Sequence, residues 1–226
     1  MKSKNTDERQ PRNPLRKPIR PKPVQTHEVR IIGGQWKRTK LPVADKPGLR
    51  PTPDRVRETL FNWLGPDLTS WRCLDAFAGT GVLGFEAASR GAKEVRLIEQ
   101  DGALVAQLKL IQMQLKTDAV QVTRGDGVSV LRQAPPGSLE LIFLDPPFDS
   151  NVFNAGVQAA GRAVTSNGFV YLEAPVRWDT EQLQGSGLYV HRHLKAGAVH
   201  AHLLKRIAVS IDRRVDNVAP PTDLKL

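Results

Sequence analysis

The stretch LDAFAGTGVLGFEAA, residues 74–88, holds Gly79-Thr80-Gly81-Val82-Leu83-Gly84, a G-x-G-x-x-G run. It lies between CLDAF, which reads as a strand, and a helical pattern beginning at Val82. Glu99 ends the next apolar run, EVRLIE, 20 residues after Gly79. Strand, glycine turn, helix and distal acid in this order form a nucleotide-binding fingerprint. The glycines let backbone approach a ligand closely, and Glu99 can accept hydrogen bonds from ribose hydroxyls. The alternative is a tight strand-to-helix turn with a capping acid.

Asp75, just before the glycines, narrows the choice of ligand. A carboxylate there would repel a pyrophosphate resting on the helix N-terminus. It suits a ligand carrying an ammonium group. S-adenosylmethionine carries an amine, a carboxylate, a sulfonium and an adenosine, with no phosphate. Asp75 therefore favours it over a nicotinamide dinucleotide. Asp126, in RGDGV after the third strand, could accept from an adenine amino group. It is equally suited to cap the helix that starts at Gly127.

Outward from the glycine loop, short apolar runs alternate with helical patterns. Strands are expected at CLDAF, EVRLIE, AVQVT, LELIFLD and GFVYLE, with helices over about 82–90, 101–116, 127–132 and 151–164. Such alternation implies an α/β fold whose mostly parallel sheet is covered on both faces. LYVHRHL and AVHAHLLKRIAVSI, split by Lys195-Ala196-Gly197, read as an antiparallel hairpin closing the sheet. Upstream, VRIIGGQWKRTKLPV reads as two short strands joined at Gly33–Gly34, and DRVRETLFNWLG as a helix. Thr52 is the expected N-cap, Pro53 the first helical residue and Gly65 the stop. Val56, Leu60, Trp63 and Leu64 form the apolar stripe, which leaves Arg55 and Arg57 free for another task. Four regions are expected: a disordered basic Pro-rich tail, 1–27; a hairpin-and-helix extension, 28–66; the main domain, 67–215; and a loose tail, 216–226.

The fourth strand of the main domain ends in Asp145-Pro146-Pro147-Phe148. In open α/β sheets ligands bind beyond the carboxyl ends of the strands. Asp75, Glu99, Asp126 and Asp145 are all expected at such ends. If the substrate is an exocyclic amine of a nucleobase, its lone pair is delocalised into the ring. Two acceptors on its N–H groups, the Asp145 carboxylate and the Pro146 carbonyl, would free that lone pair for attack on a methyl group. Pro147 stiffens the turn. Phe148 offers a face for base stacking, worth about 1–3 kcal/mol. A base inside a duplex would have to be flipped out to reach it.

The chain has 226 residues, 40% hydrophobic, enough for one domain with a sizeable core. Its single cysteine, Cys73, excludes an internal disulfide, and no apolar run approaches a membrane span. The expectation is a soluble cytoplasmic monomer that needs no metal. The net charge of +10 is concentrated in residues 1–60, where 16 Lys or Arg stand against 6 Asp or Glu. The rest of the chain balances at 17 against 17. A localised positive region fits a polyanion partner, and the Pro/Arg-rich residues 1–27 could touch phosphates without reading sequence.

RIIGGQWKRTKLPV, LRPTPDRVRETLFNWL, CLDAFAGTGVLGFEAASRGA and DPPF together resemble the bacterial RsmD family of methyltransferases, over about residues 28–210. The D-P-P-F motif alone is shared by many amino-methyltransferases; the two N-terminal segments are far more specific. The resemblance implies a Rossmann-like class I methyltransferase fold with a seven-stranded sheet. It implies S-adenosylmethionine at Asp75, Phe77, Gly79, Gly81, Glu99 and Asp126, with Thr52 and Arg55 as further candidates. It implies catalysis at Asp145, Pro146 and Phe148, and RNA contacts at Pro147, Phe148, Lys37, Arg38 and Arg50. The implied substrate is the N2 amine of a guanine in 16S ribosomal RNA, conventionally numbered 966, presented by the small ribosomal subunit or its assembly intermediates.

Other readings use the same residues. DNA or RNA adenine or cytosine amino-methylation needs the same D-P-P-F chemistry, but no separate base-reading domain is evident. A nicotinamide oxidoreductase is disfavoured by Asp75, and a non-catalytic ribosome-binding protein by intact Asp75 and Asp145. His191-x-His193 and His200-x-His202 lie on the two hairpin arms. Alternation places each pair on one face, where four imidazoles could approach a metal, though strand histidines are more often packed or solvent-facing.

Overall fold

The computed structural model describes residues 27–49, 51–147 and 152–208. Arg50, Phe148, the basic tail and the C-terminal tail lie outside the described residues. Nine strands and five helices follow within them: β1 His27–Arg30, β2 Lys40–Val43, α1 Asp54–Leu64, β3 Arg72–Asp75, α2 Val82–Ser89, β4 Glu94–Glu99, α3 Gly102–Gln114, β5 Val120–Arg124, α4 Gly127–Gln133, β6 Leu139–Leu144, α5 Phe153–Ala163, β7 Val164–Ala174, β8 Leu188–Ala196 and β9 Val199–Arg206. Seven strands make one sheet in the order β5-β4-β3-β6-β7-β9-β8. β5 to β7 are parallel, and β9 returns antiparallel to both β7 and β8.

The parallel strands read as continuous apolar runs because both faces are covered. Cys73, Leu141, Phe143 and Tyr171 face a core shared with α1, α2 and α3. Leu74, Ile142, Val170 and Leu172 face a second core containing residues of α4 and α5. The order in which strands are added reverses at β3, since β4 and β6 flank it on opposite sides. That is the switch point where such sheets bind ligands.

β1 and β2 pair antiparallel, as expected, but Gly33–Gly34 is more than a hairpin turn. The segment after β1 lies against the C-terminal end of α2. The Gln35 amide donates to the Ser89 carbonyl (2.7 Å) and the Trp36 amide to Ser89 Oγ (2.9 Å), while that hydroxyl donates to the Gly33 carbonyl (2.6 Å). Gly34 has φ 71°, and a Cβ there would sit 1.9 Å from the Ser89 oxygen. Only glycine lets the two backbones approach this closely. The chain then runs back along the face. Lys46 pairs with Asp101 at the head of α3, and Leu49 packs over Gly79. The extension is thus a strap reaching from the amino ends of the strands to the carboxyl rim.

Two expectations at α1 are corrected. Pro53, not Thr52, occupies the N-cap, with no side-chain capping bond. Thr52 is buried, and its hydroxyl bonds to Glu173 instead. Arg57 is not free but fully buried. Its Nε donates to the Thr52 carbonyl and Nη1 to the Arg30 carbonyl (both 3.0 Å), and Nη2 pairs with Asp54 (2.6 Å). Glu86, also fully buried, lies 3.5 Å from Arg57 Nη1 and 3.0 Å from Arg90 Nη2, and accepts from the Ile32 amide at 2.9 Å. These bonds lock strap, α1 and α2 into one unit.

Candidate active site

Every parallel strand of the large sheet presents an acid at or just past its carboxyl end. Across the sheet these are Asp126 after β5, Glu99 on β4, Asp75 on β3, Asp145 after β6 and Glu173 on β7. Four were expected from sequence; Glu173 was missed. The signal was present: in the apolar run that ends β7, Tyr171 and Glu173 stand two apart, on the face that carries Phe143.

Asp126 and Glu99 are partly exposed and braced by backbone amides. Asp126 accepts from the Ser129 amide (2.7 Å) and Gln100 Nε2 (3.0 Å), so it caps α4. Its bonds to Ser129 hold its pKa below the usual carboxylate range. Glu99 Oε2 accepts from the Gly79 amide (2.9 Å) and Oε1 from the Asp101 amide (2.8 Å). It therefore fixes the glycine loop before any ligand arrives. Each carboxylate keeps lone pairs for further donors.

The loop itself needs its glycines. Gly81 is the N-cap of α2 at φ 74°, where a Cβ would come within 2.4 Å of Leu108 and 2.8 Å of Phe85. Asp75, 2% exposed, accepts from the Phe77 and Gly84 amides. It thus occupies the positive end of α2 that a pyrophosphate would need. Burial, with Glu99 and Glu173 nearby, raises its pKa to about 7.

Beyond the switch point the electrostatics sharpen. Asp145 is half-buried, Pro146 buried and Pro147 exposed. Burial, then the charges of Glu173 and Asp75, push the Asp145 pKa well up. Glu173 is also raised by burial, against the opposing effect of hydrogen bonds from Tyr171 and Thr52. Tyr171 donates to Glu173 Oε1 at 2.7 Å, and burial beside that acid raises the phenol further. Among the described residues no Lys or Arg pairs with Asp75, Asp145 or Glu173. A group of acids held away from water without a counter-ion is a site prepared for positive charge.

The donor set suits a methyl donor bearing an ammonium and an adenosine. Asp75 takes the Phe77 and Gly84 amides, Glu99 the Gly79 amide, and Asp126 stands past the outer strand at the head of α4. Phe77 is half-buried between Asp75 and Gly79, and Thr52 joins the rim through Glu173. Arg55 is exposed on α1. Lys37 and Arg38 are exposed and follow Trp36, whose amide bonds to Ser89 at the far end of α2, about 12 Å of helix from the glycine loop. They are not gathered to the rim.

The histidines divide. A bulge between Val190 and Arg192 shifts the register of β8, so His191 falls out of step and meets Phe169 and Tyr189. A one-residue slip moves a side chain to the other face, which corrects the expected pairing of His191 with His193. His193, His200 and His202 cluster with ring nitrogens within 4.8 Å. His202 Nε2 accepts from the Trp178 amide (3.0 Å), so Nδ1 carries the proton that faces the Leu172 carbonyl (3.3 Å). Burial lowers its pKa to about 4. His193 Nε2 and His200 Nδ1 lie 3.0 Å apart, within hydrogen-bonding reach. Packing and hydrogen bonding account for this trio.

This sheet order, with a glycine loop at the switch point and an acid on each parallel strand end, defines a Rossmann-like class I methyltransferase. The chain matches the family model described as Conserved hypothetical protein 95 over residues 29–205 and belongs to that family. It is 41% identical over 186 residues to Ribosomal RNA small subunit methyltransferase D of Escherichia coli (strain K12), covering 80% of this chain and 91% of that one. It is 38% identical over 178 residues to the protein of the same name from Haemophilus influenzae, covering 73% and 92%. Among solved structures, the putative methyltransferase yhhF from Escherichia coli is 39% identical and superimposes with a TM-score of 0.70, covering 81% of this chain and all of that one. No helix among the described residues is long and apolar enough to cross a membrane.

Proposed function

We propose that the protein transfers a methyl group from S-adenosylmethionine to the exocyclic N2 amine of a flipped-out guanine in 16S ribosomal RNA, on small ribosomal subunits or their assembly intermediates in the cytoplasm. The observation that carries this reading is the row of strand-end acids at the β3–β6 switch point, unpaired with Lys or Arg among the described residues, beside Pro146-Pro147. The names of the 41% and 38% identical relatives support ribosomal RNA as substrate.

When bound, the donor supplies a methyl group activated on a sulfonium. Asp75 holds its ammonium, Glu99 its ribose hydroxyls and Asp126 its adenine amino group, with Gly79 and Gly81 allowing close backbone approach. Asp145 and the Pro146 carbonyl accept the two N–H bonds of the target amine and turn its lone pair toward the methyl carbon. Asp145 stabilises the positive charge that develops on nitrogen in a site shielded from water. Pro147 keeps the turn stiff, and Phe148 stacks on the base. Arg50 and the basic N-terminal residues hold backbone phosphates.

Incubation with methyl-labelled S-adenosylmethionine and either free 16S RNA, small subunits or DNA tests the whole reading. Label in N2-methylguanosine, strongest with subunits, is expected. Label confined to DNA, or to adenine or cytosine, would overturn it.

A further inference from the structure

Glu173 has no part in the mechanism above, yet its placement ties it to Asp145. Leu144 on β6 pairs with Leu172 on β7, so Asp145 and Glu173 are the next neighbours along the same parallel ladder. They follow Phe143 and Tyr171 by two residues, and those side chains share one face of the sheet. Glu173 is 4% exposed and accepts from the Tyr171 hydroxyl at 2.7 Å and from the Thr52 hydroxyl. Two donors aimed at one buried carboxyl group work against the rise that burial causes and favour its ionised form. Asp145 lies past the end of its strand and is only half-buried.

We propose that Glu173 is a positioning residue for the methyl transfer: held by Tyr171 and Thr52, it acts through Asp145 to make that carboxylate the acceptor of the proton the substrate amine gives up. This rests on the catalytic role proposed for Asp145. The amine nitrogen forms the new N–C bond as the donor's C–S bond breaks, leaving that electron pair on sulfur. The nitrogen then holds one proton too many, which passes to an Asp145 oxygen. The resulting neutral acid stands beside the Glu173 charge and, being at a half-exposed residue, releases the proton to solvent. A like charge alongside makes Asp145 the stronger base. The groups bearing on Glu173 are Tyr171 on its own strand, Asp145 from β6, Asp75 from β3 and Thr52 from the strap, while β9 places Ala201 beside it.

Glu173→Gln keeps the size and one oxygen acceptor while removing the charge. The first readout needs no turnover: a carbon-13 carboxyl NMR titration of the donor-free protein, with the Asp145 signal assigned by its loss in Asp145→Asn. The Asp145 midpoint is expected to fall by about one pH unit in Glu173→Gln. The second is the acid limb of kcat, which should move to lower pH by the same amount, with a plateau several-fold lower. Tyr171→Phe, which removes one donor to Glu173 and keeps the ring, should shift both readouts in the same direction by less. It also serves if Glu173→Gln does not fold. An unmoved Asp145 midpoint and an unmoved acid limb overturn the proposal. If Asp145→Ala abolishes turnover while Glu173→Gln leaves the limb in place, only this inference fails; if Asp145→Ala turns over normally, the catalytic reading beneath it fails.

Discussion

Among the described residues the buried and half-buried carboxylates at α2 and at the rim are treated oppositely. Glu86 on α2 is enclosed with the guanidinium groups of Arg57 and Arg90 and takes a backbone amide as well. Asp75, Asp145 and Glu173 at the rim have hydrogen bonds or one another, and among the described residues no cation. A buried charge is expensive unless paired. Where the pair is supplied from within, as at Glu86, the result is a staple that docks the strap onto α2. Where it is withheld, the acids are raised and stand ready for charge brought by a ligand. The same residue type thus serves structure or chemistry according to whether its counter-ion belongs to the chain.

The largest effect should come from the unpaired group. Asp145→Ala removes the acceptor of the target N–H and the charge that meets the developing cation. Turnover should fall about 10³–10⁴-fold. Donor affinity, read by calorimetry, should stay within about threefold, because Asp75, Glu99 and the glycine loop are untouched. Equal losses in affinity and turnover would place Asp145 in donor binding and blur the division of roles along the rim.

The paired group should answer in stability instead. Arg57→Ala leaves Glu86 with one guanidinium fewer and takes the Arg57 donors from the Thr52 and Arg30 carbonyls, while Asp54 keeps only its pair with the Arg30 side chain. Breaking a buried ion pair from one side costs about 3–5 kcal/mol. Urea unfolding should show this as a lower midpoint with an unchanged slope. A loss below about 1 kcal/mol would mean that the strap is docked by its contacts with Ser89, the Glu86 carboxylate and Asp101, without need of Arg57.

The sequence made the functional half of this contrast easier to read than the structural half. The alternation of apolar runs and helical patterns, the glycine loop and four of the rim acids were legible because each has a local signature. Glu173 escaped because a strand ending in Tyr-Leu-Glu looks like a half-exposed edge; only the covering by α1 and the strap makes it internal. Arg57 escaped for the same reason. A helix with one apolar stripe seems to leave its arginines outside, but the strap buries a second face of α1. Thr52 looked like a cap because the residues around it fit one, yet a buried acid across the chain claims its hydroxyl. His191 was misplaced because a bulge has no clear sequence mark. Apart from the bulge, each miss comes from a contact between segments far apart in the chain.

The smallest effect concerns how the unpaired acids tax the folded state. Asp75 has an ordinary pKa of 3.8, raised to about 7 by burial. Between those values the folded protein holds a proton that the unfolded chain has released, so stability falls as pH rises from about 4 to about 7 and then levels. Asp145 and Glu173 act in the same direction. His202 opposes them: it stays neutral in the fold down to about 4 while the unfolded side chain protonates near 6.5, so it adds stability as pH rises through that range. His191 and His193, also lowered by burial, act as His202 does, and this opposing effect fades above pH 6.5 as the unfolded histidines lose their protons. From there to pH 8 the Asp75 contribution is about 1 kcal/mol, or a few degrees in Tm. Wild-type Tm should therefore decline over this window, and Asp75→Asn should lessen the decline. Saturating S-adenosylmethionine should also lessen it, because an ammonium seated against Asp75 supplies the counter-ion that Glu86 finds in Arg57 and Arg90. A slope indifferent to both changes would mean that Asp75 is not the acid kept waiting for a cation.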